Sequence, residues 1–364
     1  MLSVFASPSK YIQGQQAMKE GIPYIKELGS CALLLSDDMV YDIVGKEFEK
    51  ELIAQDVAVC YARFNGGATL SEINRIQEVA KKEQIDLVIG LGGGQTIDVA
   101  KAISNHLEKA VVIVPTTAST DAPTSSISVV YTDEGLFDHY IYYKKHPDLV
   151  LVDTTVISKA PVKLLISGIA DALSTWVEGR SIIERGESTL MQGVPTLAAE
   201  AIAEKCEKVL FEEGLQAVAA NEAKIVTPSL EAVIEANTLL SGIGFECCGL
   251  AAAHSIHNGF SALSGEVQRL THGEKVAYGT LTQLVLEKRP KKELDRFIDF
   301  YQKLGLPTTL DELYLDKTDT DELLKISLQA TKPGETIHKL SPNIKAEEVM
   351  NALLFVDTYV KKYF

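Results

Sequence analysis

A glycine triplet between an apolar run and a helix-forming segment constrains this chain more than any other feature of its sequence. Asp86–Gly90 (DLVIG) is nearly all apolar, Gly92, Gly93 and Gly94 follow it, and helical spacing begins directly after them. A continuous apolar run of this length is typical of a parallel strand buried on both faces. Strand, glycines and helix in this order predict one βα unit of an α/β domain.

The same glycines predict where a ligand binds. Glycine lets the backbone approach a ligand closely, and a helix start presents unpaired N–H groups with a positive dipole end. Gly92, Gly93 and Gly94 therefore form a candidate diphosphate site. The motif is neither G-x-G-x-x-G nor a P-loop, because no GK[ST] follows. A tight turn that binds nothing is the alternative, and the position after a buried strand favours the phosphate.

About the first 150 residues repeat this alternation of strand and helix, which predicts a doubly wound parallel sheet. The remaining candidate strands are Cys31–Leu35, Val57–Tyr61, Val111–Val114 and 149–153, and Ser71–Glu83 has the spacing of an amphipathic helix. Ile127–Thr132 and Phe137–Tyr143 flank the turn residues Asp133, Glu134 and Gly135, which predicts a β-hairpin added to the sheet.

Beyond Pro161 the pattern changes to long helical stretches, at 195–220, 224–246, 272–287 and 345–361. We therefore predict two domains, an α/β domain over 1–160 and an all-helical domain over 161–364. The chain has no 20–50-residue repeat and no low-complexity linker.

Composition and net charge argue against several classes of partner and indicate the compartment. The formal charge of −15 disfavours nucleic acid, anionic membranes and strongly anionic substrates as partners. The five cysteines form neither a disulfide framework nor a CxxC metal site, which fits a reducing compartment. The N-terminus lacks the pattern of a signal peptide, and no apolar run approaches the roughly 18 residues of a membrane span. We therefore expect a cytoplasmic protein.

Two polar segments follow predicted strands, where ligands of such sheets bind. Asp37 lies just past the strand at 31–35, where an acid commonly takes the ribose hydroxyls and repels a 2′-phosphate. The stretch 115–126 (PTTASTDAPTSS) offers the hydroxyls of Thr116, Ser119 and Ser125 and the lone carboxylate of Asp121. A solvated helix cap and an ordinary polar loop are the alternatives.

Four residues beyond Pro161 have side chains of the types that bind metals in proteins. Asp171 lies in a mostly apolar helical segment, where an unpaired charge is costly to bury. His254 and His257 share a helix face, and His272 follows Thr271 in a Thr-x-x-Glu capping box at a helix start. One carboxylate and two imidazoles can form a catalytic zinc site. Separate structural roles are the alternative, since spacing alone does not bring residue 171 to residue 254. His106, His139, His146 and His338 show no partner pattern.

Long motifs of the chain resemble the glycerol dehydrogenases of the iron-containing alcohol dehydrogenase superfamily. They are GGGQTID, PTTASTDAPTS, YKKHPDLVLVDT, SGIADALSTWVE, EANTLLSGIGFE, GLAAAHSIHNGF and LTHGEKVAYGTL, and the similarity weakens beyond residue 290. The resemblance implies a dehydroquinate-synthase-like fold: an N-terminal α/β domain with a Rossmann-like parallel sheet, an all-α C-terminal domain, and an active site between them.

The resemblance also implies roles for particular residues. The metal ligands would be Asp171, His254 and His272. Asp121 would bind the substrate hydroxyls. Apart from the resemblance, Asp121 is a candidate to help the proton leave, and His257, on the helix face of His254, is a second relay candidate. The cofactor site would consist of Asp37, Gly92, Gly93, Gly94, Gln95, Asp98, Thr116, Ser119, Ser125, Ile127 and Tyr131.

Two positions depart from the family pattern. Gln95 stands where the glycerol branch often carries lysine, so a cation near the diphosphate is missing. Thr175 stands where the iron-dependent branch carries a histidine one turn after the aspartate. Three protein ligands then remain, which favours zinc over iron.

The implied reaction is the reversible NAD-linked oxidation of glycerol to dihydroxyacetone, with one divalent metal per chain. The resemblance further implies a homo-oligomer, with an octamer as one form. 1,2-Propanediol or another small diol is the alternative substrate. A dehydroquinate-synthase-like lyase would need a cluster of Lys and Arg near the metal motifs, where few occur. A dinucleotide sensor without catalysis would lack the metal ligands.

Overall fold

The computed structural model describes residues 1–133, 135, 137–316 and 320–364. It divides into two compact units. The α/β unit comprises Ser7–Leu165 and Ala219–Gly242, and the helical unit comprises Met1–Ala6, Ile166–Val218 and Ile243–Phe364.

Six parallel strands form the sheet of the α/β unit, in the order β1-β8-β5-β4-β2-β3. They are β1 Tyr11–Gly14, β2 Cys31–Ser36, β3 Ala58–Arg63, β4 Leu87–Gly92, β5 Ala110–Pro115 and β8 Leu149–Asp153. The chain passes from β2 outward to β3 and then returns to place β4 on the other side of β2. The order of the strands therefore reverses between β2 and β4, and ligands of open α/β sheets bind at such a switch point.

Helices cover both faces of the sheet. They are α1 Ala17–Glu20, α2 Ile22–Lys26, α3 Asp38–Val40, α4 Lys46–Ala54, α5 Leu70–Lys82, α6 Gly94–Leu107 and α7 Thr154–Lys159, and a π-helical turn occupies Tyr41–Gly45. On one face Ile22, Ile25 and Leu52 pack against alternate strand residues. On the other, α6 approaches β4 closely, because a Cβ on Gly90 would lie 2.6 Å from the Cβ of Ala100. This contact fixes the helix that starts at the glycine triplet.

The predicted hairpin is present as the antiparallel pair β6 Ile127–Tyr131 and β7 Phe137–Tyr142. Glu134 of its predicted turn lies outside the described residues. Strand β1 was not predicted from the sequence; it is four residues long and half-buried, and it pairs only with the distant β8 among the described strands.

The rest of the chain is helical in the described residues. Its helices are α8 Val162–Arg185, α9 Leu197–Glu222, α10 Pro228–Glu235, α11 Ser241–Cys248, α12 Ala252–Gly259, α13 His272–Leu286, α14 Lys291–Leu304, α15 Thr320–Ala330, α16 Ile337–Leu340 and α17 Ala346–Tyr363. A π-helical turn occupies Ala236–Leu240, and 3₁₀ turns occupy Phe260–Ala262, Glu266–Arg269 and Asp311–Leu313. The predicted class, a parallel α/β domain followed by helices, is confirmed.

Amphipathic spacing explains these helices. In α14, Leu294, Phe297, Ile298 and Tyr301 recur at helical spacing and are all buried. Among the described helices none by itself is long and apolar enough to cross a membrane; the bent pair Pro228–Cys248 and Ala252–Ala262 passes on length and composition alone.

A single boundary near residue 160 does not describe the two units completely. The first six residues join the helical unit, where Val4 N–H donates to Val194 O at 3.3 Å. The segment 219–242 returns to the α/β unit, where the amide of Gln13 donates to Glu231 O at 2.9 Å. Both exceptions to a single boundary depend on contacts between distant parts of the chain, which the helical periodicity of the sequence does not reveal.

Candidate functional site

Three side chains of the helical unit converge as a candidate metal centre. Asp171 comes from the middle of α8, His254 from the first turn of α12 and His272 from the first residue of α13. One potential ligand atom from each lies within 4.8 Å of the others. Asp171 Oδ1 is 3.0 Å from His272 Nε2 and 3.4 Å from His254 Nε2. Two ligands of a tetrahedral zinc, each about 2.0–2.1 Å from it, would be separated by about 3.4 Å.

The state of Asp171 fits a bound cation. Its side chain is 1% exposed, and its Oδ2 accepts no hydrogen bond from any described residue. A buried carboxylate oxygen without a partner is costly, and a cation beside it would remove that cost. Burial by itself raises the pKa of Asp171, but the imidazoles of His272 and His254 outweigh it and hold the pKa well below its usual range. The carboxylate is therefore ionised, as a metal ligand must be.

His272 is positioned by its local sequence and by a close contact between two helices. Thr271 and Glu274 form the predicted capping box at the start of α13, and this fixes the backbone of His272. The N–H of Gly273 donates to Ser167 Oγ at 3.1 Å, and a Cβ at position 273 would lie 1.9 Å from Ser167 O. Only glycine allows α13 to approach α8 this closely, so His272 reaches Asp171.

Glu178 is part of this centre and was not predicted from the sequence. It is fully buried on α8, and its Oε2 lies 2.6 Å from His254 Nδ1. Burial lowers the pKa of His254, but Glu178 and Asp171 outweigh this effect and raise it well above the usual value. The signal was available, since Glu178 follows Asp171 by seven residues, or two turns, and the residues between them on that face, Ser174 and Thr175, are small and uncharged.

His257 and Thr175 lie in the same unit. The ring of His257 is centred 4.2 Å from that of His272, and burial together with His272, Lys275 and His254 holds its pKa well below the usual value. His257 is therefore neutral near pH 7, able to accept a proton. Thr175 is 1% exposed, and a Cβ on Gly244 would lie 2.5 Å from its methyl group.

In the α/β unit, the glycine triplet and Asp37 follow neighbouring strands. Leu35 of β2 pairs with Gly90 of β4, so Asp37 and Gly92 each lie two residues beyond this pair. Gly93 is the N-cap of α6 and has no side chain to cap it, so solvent or a ligand must satisfy the first N–H groups. Gln95 is exposed in this first turn. Asp37 is the N-cap of α3, where its Oδ1 accepts from Val40 N–H at 2.9 Å.

The polar loop begins beside the glycines, because Thr116 N–H donates to Gly92 O at 3.1 Å. Ser119 Oγ lies 3.1 Å from Thr117 Oγ1, and Asp121 Oδ2 accepts from Ser241 Oγ at 3.4 Å. Tyr131 lies on β6, and its N–H donates to Ala68 O at 2.9 Å.

Lys101, also missed by sequence reasoning, organises the end of this loop. Its ammonium is buried and donates to Ala122 O and Ser125 Oγ, each at 3.1 Å, and to Ile127 O. It also pairs with Asp98 Oδ1 at 3.1 Å. Asp98 in turn accepts from Val129 N–H at 3.2 Å through Oδ2. Asp98 therefore lies inside the protein and acts on the loop that carries Ser125 and Ile127.

Comparison with known proteins agrees with this architecture. A family model of iron-containing alcohol dehydrogenases matches residues 8–154. Glycerol dehydrogenase from Citrobacter freundii is 43% identical over 357 residues, covering 98% of this chain and 98% of that protein. Glycolaldehyde reductase from Halobacterium salinarum is 44% identical over 357 residues with the same coverage of both. The crystal structure of glycerol dehydrogenase from Schizosaccharomyces pombe matches with a TM-score of 0.95 at 41% identity, covering 99% of this chain and 92% of that chain.

Proposed function

The chain belongs to the glycerol dehydrogenases of the iron-containing alcohol dehydrogenase superfamily, and we propose that it catalyses the reversible NAD-linked oxidation of glycerol to dihydroxyacetone with one zinc ion per chain. The observation that carries the proposal is the convergence of His254 and His272 on Oδ1 of the buried Asp171 carboxylate, whose Oδ2 accepts no hydrogen bond from any described residue. One carboxylate and two imidazoles leave a zinc position for substrate.

The residues of the α/β unit would bind the dinucleotide. The N–H groups at the start of α6 suit a diphosphate, and Gly92, Gly93 and Gly94 allow its close approach. Asp37 would bind the ribose hydroxyls and disfavour a 2′-phosphate. Gln95, Thr116, Ser119 and Tyr131 would complete the site, while Asp98 and Lys101 hold Ser125 and Ile127 in place.

The chemistry needs two groups that the chain does not itself supply: a divalent metal lowers the pKa of an alcohol, and NAD accepts the hydride. Asp171, His254 and His272 would hold the metal. Asp121 would orient the second hydroxyl of the diol, and Ser241 positions its carboxylate. His257, whose ring is centred 4.2 Å from that of His272, would be a second relay for the proton that the alcohol loses.

Reduction of glycolaldehyde is a second candidate, favoured by the relative of that name at 44% identity. Glycolaldehyde and dihydroxyacetone both carry a hydroxyl beside a carbonyl, so the same residues would recognise either. Oxidation of 1,2-propanediol is the third reaction of this class. All five cysteines are free thiols, which fits the cytoplasmic location we propose, and assembly into a homo-oligomer stays a prediction.

Metal removal tests the proposal directly. Prolonged chelation should abolish NAD-linked oxidation of glycerol while circular dichroism stays unchanged, because the three ligands lie in a large helical unit with its own apolar core and not in a small domain held together by metal. Added zinc should restore the rate. A panel of glycerol, 1,2-propanediol and ethylene glycol with NAD, and of dihydroxyacetone and glycolaldehyde with NADH, ranks the candidate substrates. Full activity in protein shown by elemental analysis to be metal-free would refute the metal's role.

A further inference from the structure

The start of helix α12 is held by two buried side chains, one from each of the helices that carry the other two candidate ligands. Glu178 of α8 accepts through Oε1 from Ala251 N–H at 2.9 Å and from His254 N–H at 3.1 Å. Gln283 of α13 accepts through Oε1 from Ala252 N–H at 2.8 Å and from Ala253 N–H at 2.9 Å. Four successive N–H groups at this helix start are thus satisfied by side chains from elsewhere in the unit.

Glu178 does more than cap the helix, because its second oxygen contacts the imidazole of the same His254 whose backbone it holds. Oε2 lies 2.6 Å from Nδ1, so Nδ1 carries the hydrogen and donates it. Nε2 faces Asp171, so it is the nitrogen left to bind a metal. We infer that Glu178 is a positioning residue for the metal site, selecting the tautomer of His254 that presents a free Nε2 to the metal.

The chemistry requires a carboxylate at this position. Oε1 receives two backbone N–H groups and Oε2 receives the imidazole N–H, so both oxygens must be acceptors. A glutamine could accept at one end only, and its NH₂ group would face a donor at the other. Gln283 shows the opposite requirement: its Oε1 accepts, while its Nε2 donates to Val177 O at 3.1 Å and Ser181 Oγ at 3.2 Å. The two side chains are therefore not interchangeable.

The inference rests on the metal ligands of the proposed function and deepens it. Its test uses the full-length chain, stripped of metal, with zinc alone as the probe. Zinc affinity is measured by competition with a chromophoric chelator, and cobalt is then bound in place of zinc so that its visible spectrum reports the ligand geometry. Neither readout depends on catalysis.

Glu178→Gln should weaken zinc binding roughly 10- to 100-fold, the usual effect of losing an outer-shell partner of a ligating histidine, and should change the cobalt spectrum. Glu184→Gln is the matched control: the same change on the same helix, at an exposed side chain that pairs with Arg289 at 2.8 Å. Its zinc affinity should stay within twofold of the unmodified chain.

Gln283→Glu separates a general disturbance of the packing around α12 from a change in the orientation of the His254 imidazole. The variant keeps the acceptor for Ala252 and Ala253 but places an oxygen against Val177 O, so it should lower the melting temperature while changing zinc affinity less than threefold. Glu178→Asp keeps both acceptors on a shorter side chain. It should bind zinc with intermediate affinity, and it carries the test if Glu178→Gln does not fold.

The outcomes distinguish this inference from the proposed function. An unmodified chain that binds no zinc would remove the metal site and both proposals with it. An unmodified chain that binds zinc tightly, together with folded Glu178 variants of equal affinity, would overturn the positioning role alone. Equal weakening by Gln283→Glu and Glu178→Gln would also overturn it, because a general disturbance of the packing around the start of α12 would then explain the effect.

Discussion

Replacing Lys101 by methionine should loosen the loop at 122–129 far more than a surface lysine substitution loosens its surroundings. The Lys101 side chain is 3% exposed and pairs with Asp98, whose carboxylate is 8% exposed. Methionine fills similar space but donates nothing. Removing one partner of a buried ion pair costs about 3–5 kcal/mol, because the other charge stays buried without compensation.

Hydrogen exchange followed by mass spectrometry measures this loss where it occurs. If the loop exchanges through local opening, a cost of about 3–5 kcal/mol speeds exchange in the segment 122–129 roughly 150- to 5,000-fold. Lys81→Met is the matched control, since Lys81 pairs with Glu78 on the exposed face of α5, and exchange around it should not change. Adding Asp98→Asn to Lys101→Met should recover part of the loss, because no buried charge is then left unpaired.

The effect should also depend on pH. Burial raises the pKa of Asp98, and Lys101 opposes this effect, so the pKa rises further in the variant. A carboxyl with a raised folded-state pKa stabilises the fold below its unfolded pKa, and this contribution is lost as the pH rises through the folded value. The difference in exchange between the variant and the unmodified chain should therefore be smaller at pH 5 than at pH 8. Unchanged exchange in Lys101→Met at pH 8 would refute the reasoning.

Three further predictions concern the proposed site. Asp37→Ser should raise the efficiency with NADP and narrow the preference for NAD, because the carboxylate repels a 2′-phosphate by roughly 1 to 4 kcal/mol; equal kcat/KM for both cofactors in the unmodified protein would contradict this. Asp121→Ala should lower turnover of glycerol much more than it weakens NAD binding measured by fluorescence, and unchanged glycerol kinetics would reduce Asp121 to a loop residue. Thr175→His should raise the iron-to-zinc ratio of protein expressed with both metals, because residue 175 lies one turn after Asp171. Thr175 packs tightly against Gly244, so a larger side chain at position 175 is costly to accommodate. Thr175→Leu is therefore the control for side-chain volume. An unchanged iron-to-zinc ratio in Thr175→His would show that residue 175 does not select the metal.

Local patterns predicted most of the fold. The strands β2, β4, β5 and β8 are apolar runs within the sequence and could be placed to within two residues, as could helix α5. The capping box before His272 was predictable for the same reason, since Thr271 and Glu274 are three residues apart. The features that the sequence patterns did not predict depend on contacts between residues far apart in the chain. β1 is defined by its pairing with β8, and the return of 219–242 to the α/β unit depends on bonds to residues more than a hundred positions away.

The candidate site divides in the same way. Sequence physics identified Asp171, His254 and His272 as separate candidates, and the family resemblance joined them. No spacing rule connects residues 171, 254 and 272, because their approach depends on how α8, α12 and α13 pack. Gly273 illustrates the point: its backbone lies against Ser167, yet in the sequence it is an unremarkable glycine after a histidine.

Glu178 and Lys101, which the sequence patterns did not predict as part of either site, follow the same rule as Asp171. A charged side chain in an apolar helical segment needs a partner. Glu178 lies two turns further along the same helix, and Lys101 interrupts the apolar segment VAKAI in the same manner. Both proved to be buried and fully engaged, Glu178 with His254 and Lys101 with Asp98. A long charged side chain can usually extend to solvent from a helix surface, so the sequence letter alone does not require burial. The discriminating signal is that the neighbours within one turn on the same helix face are uncharged, apart from Asp98 beside Lys101. Such a face packs inward, and its charged residue is buried with it.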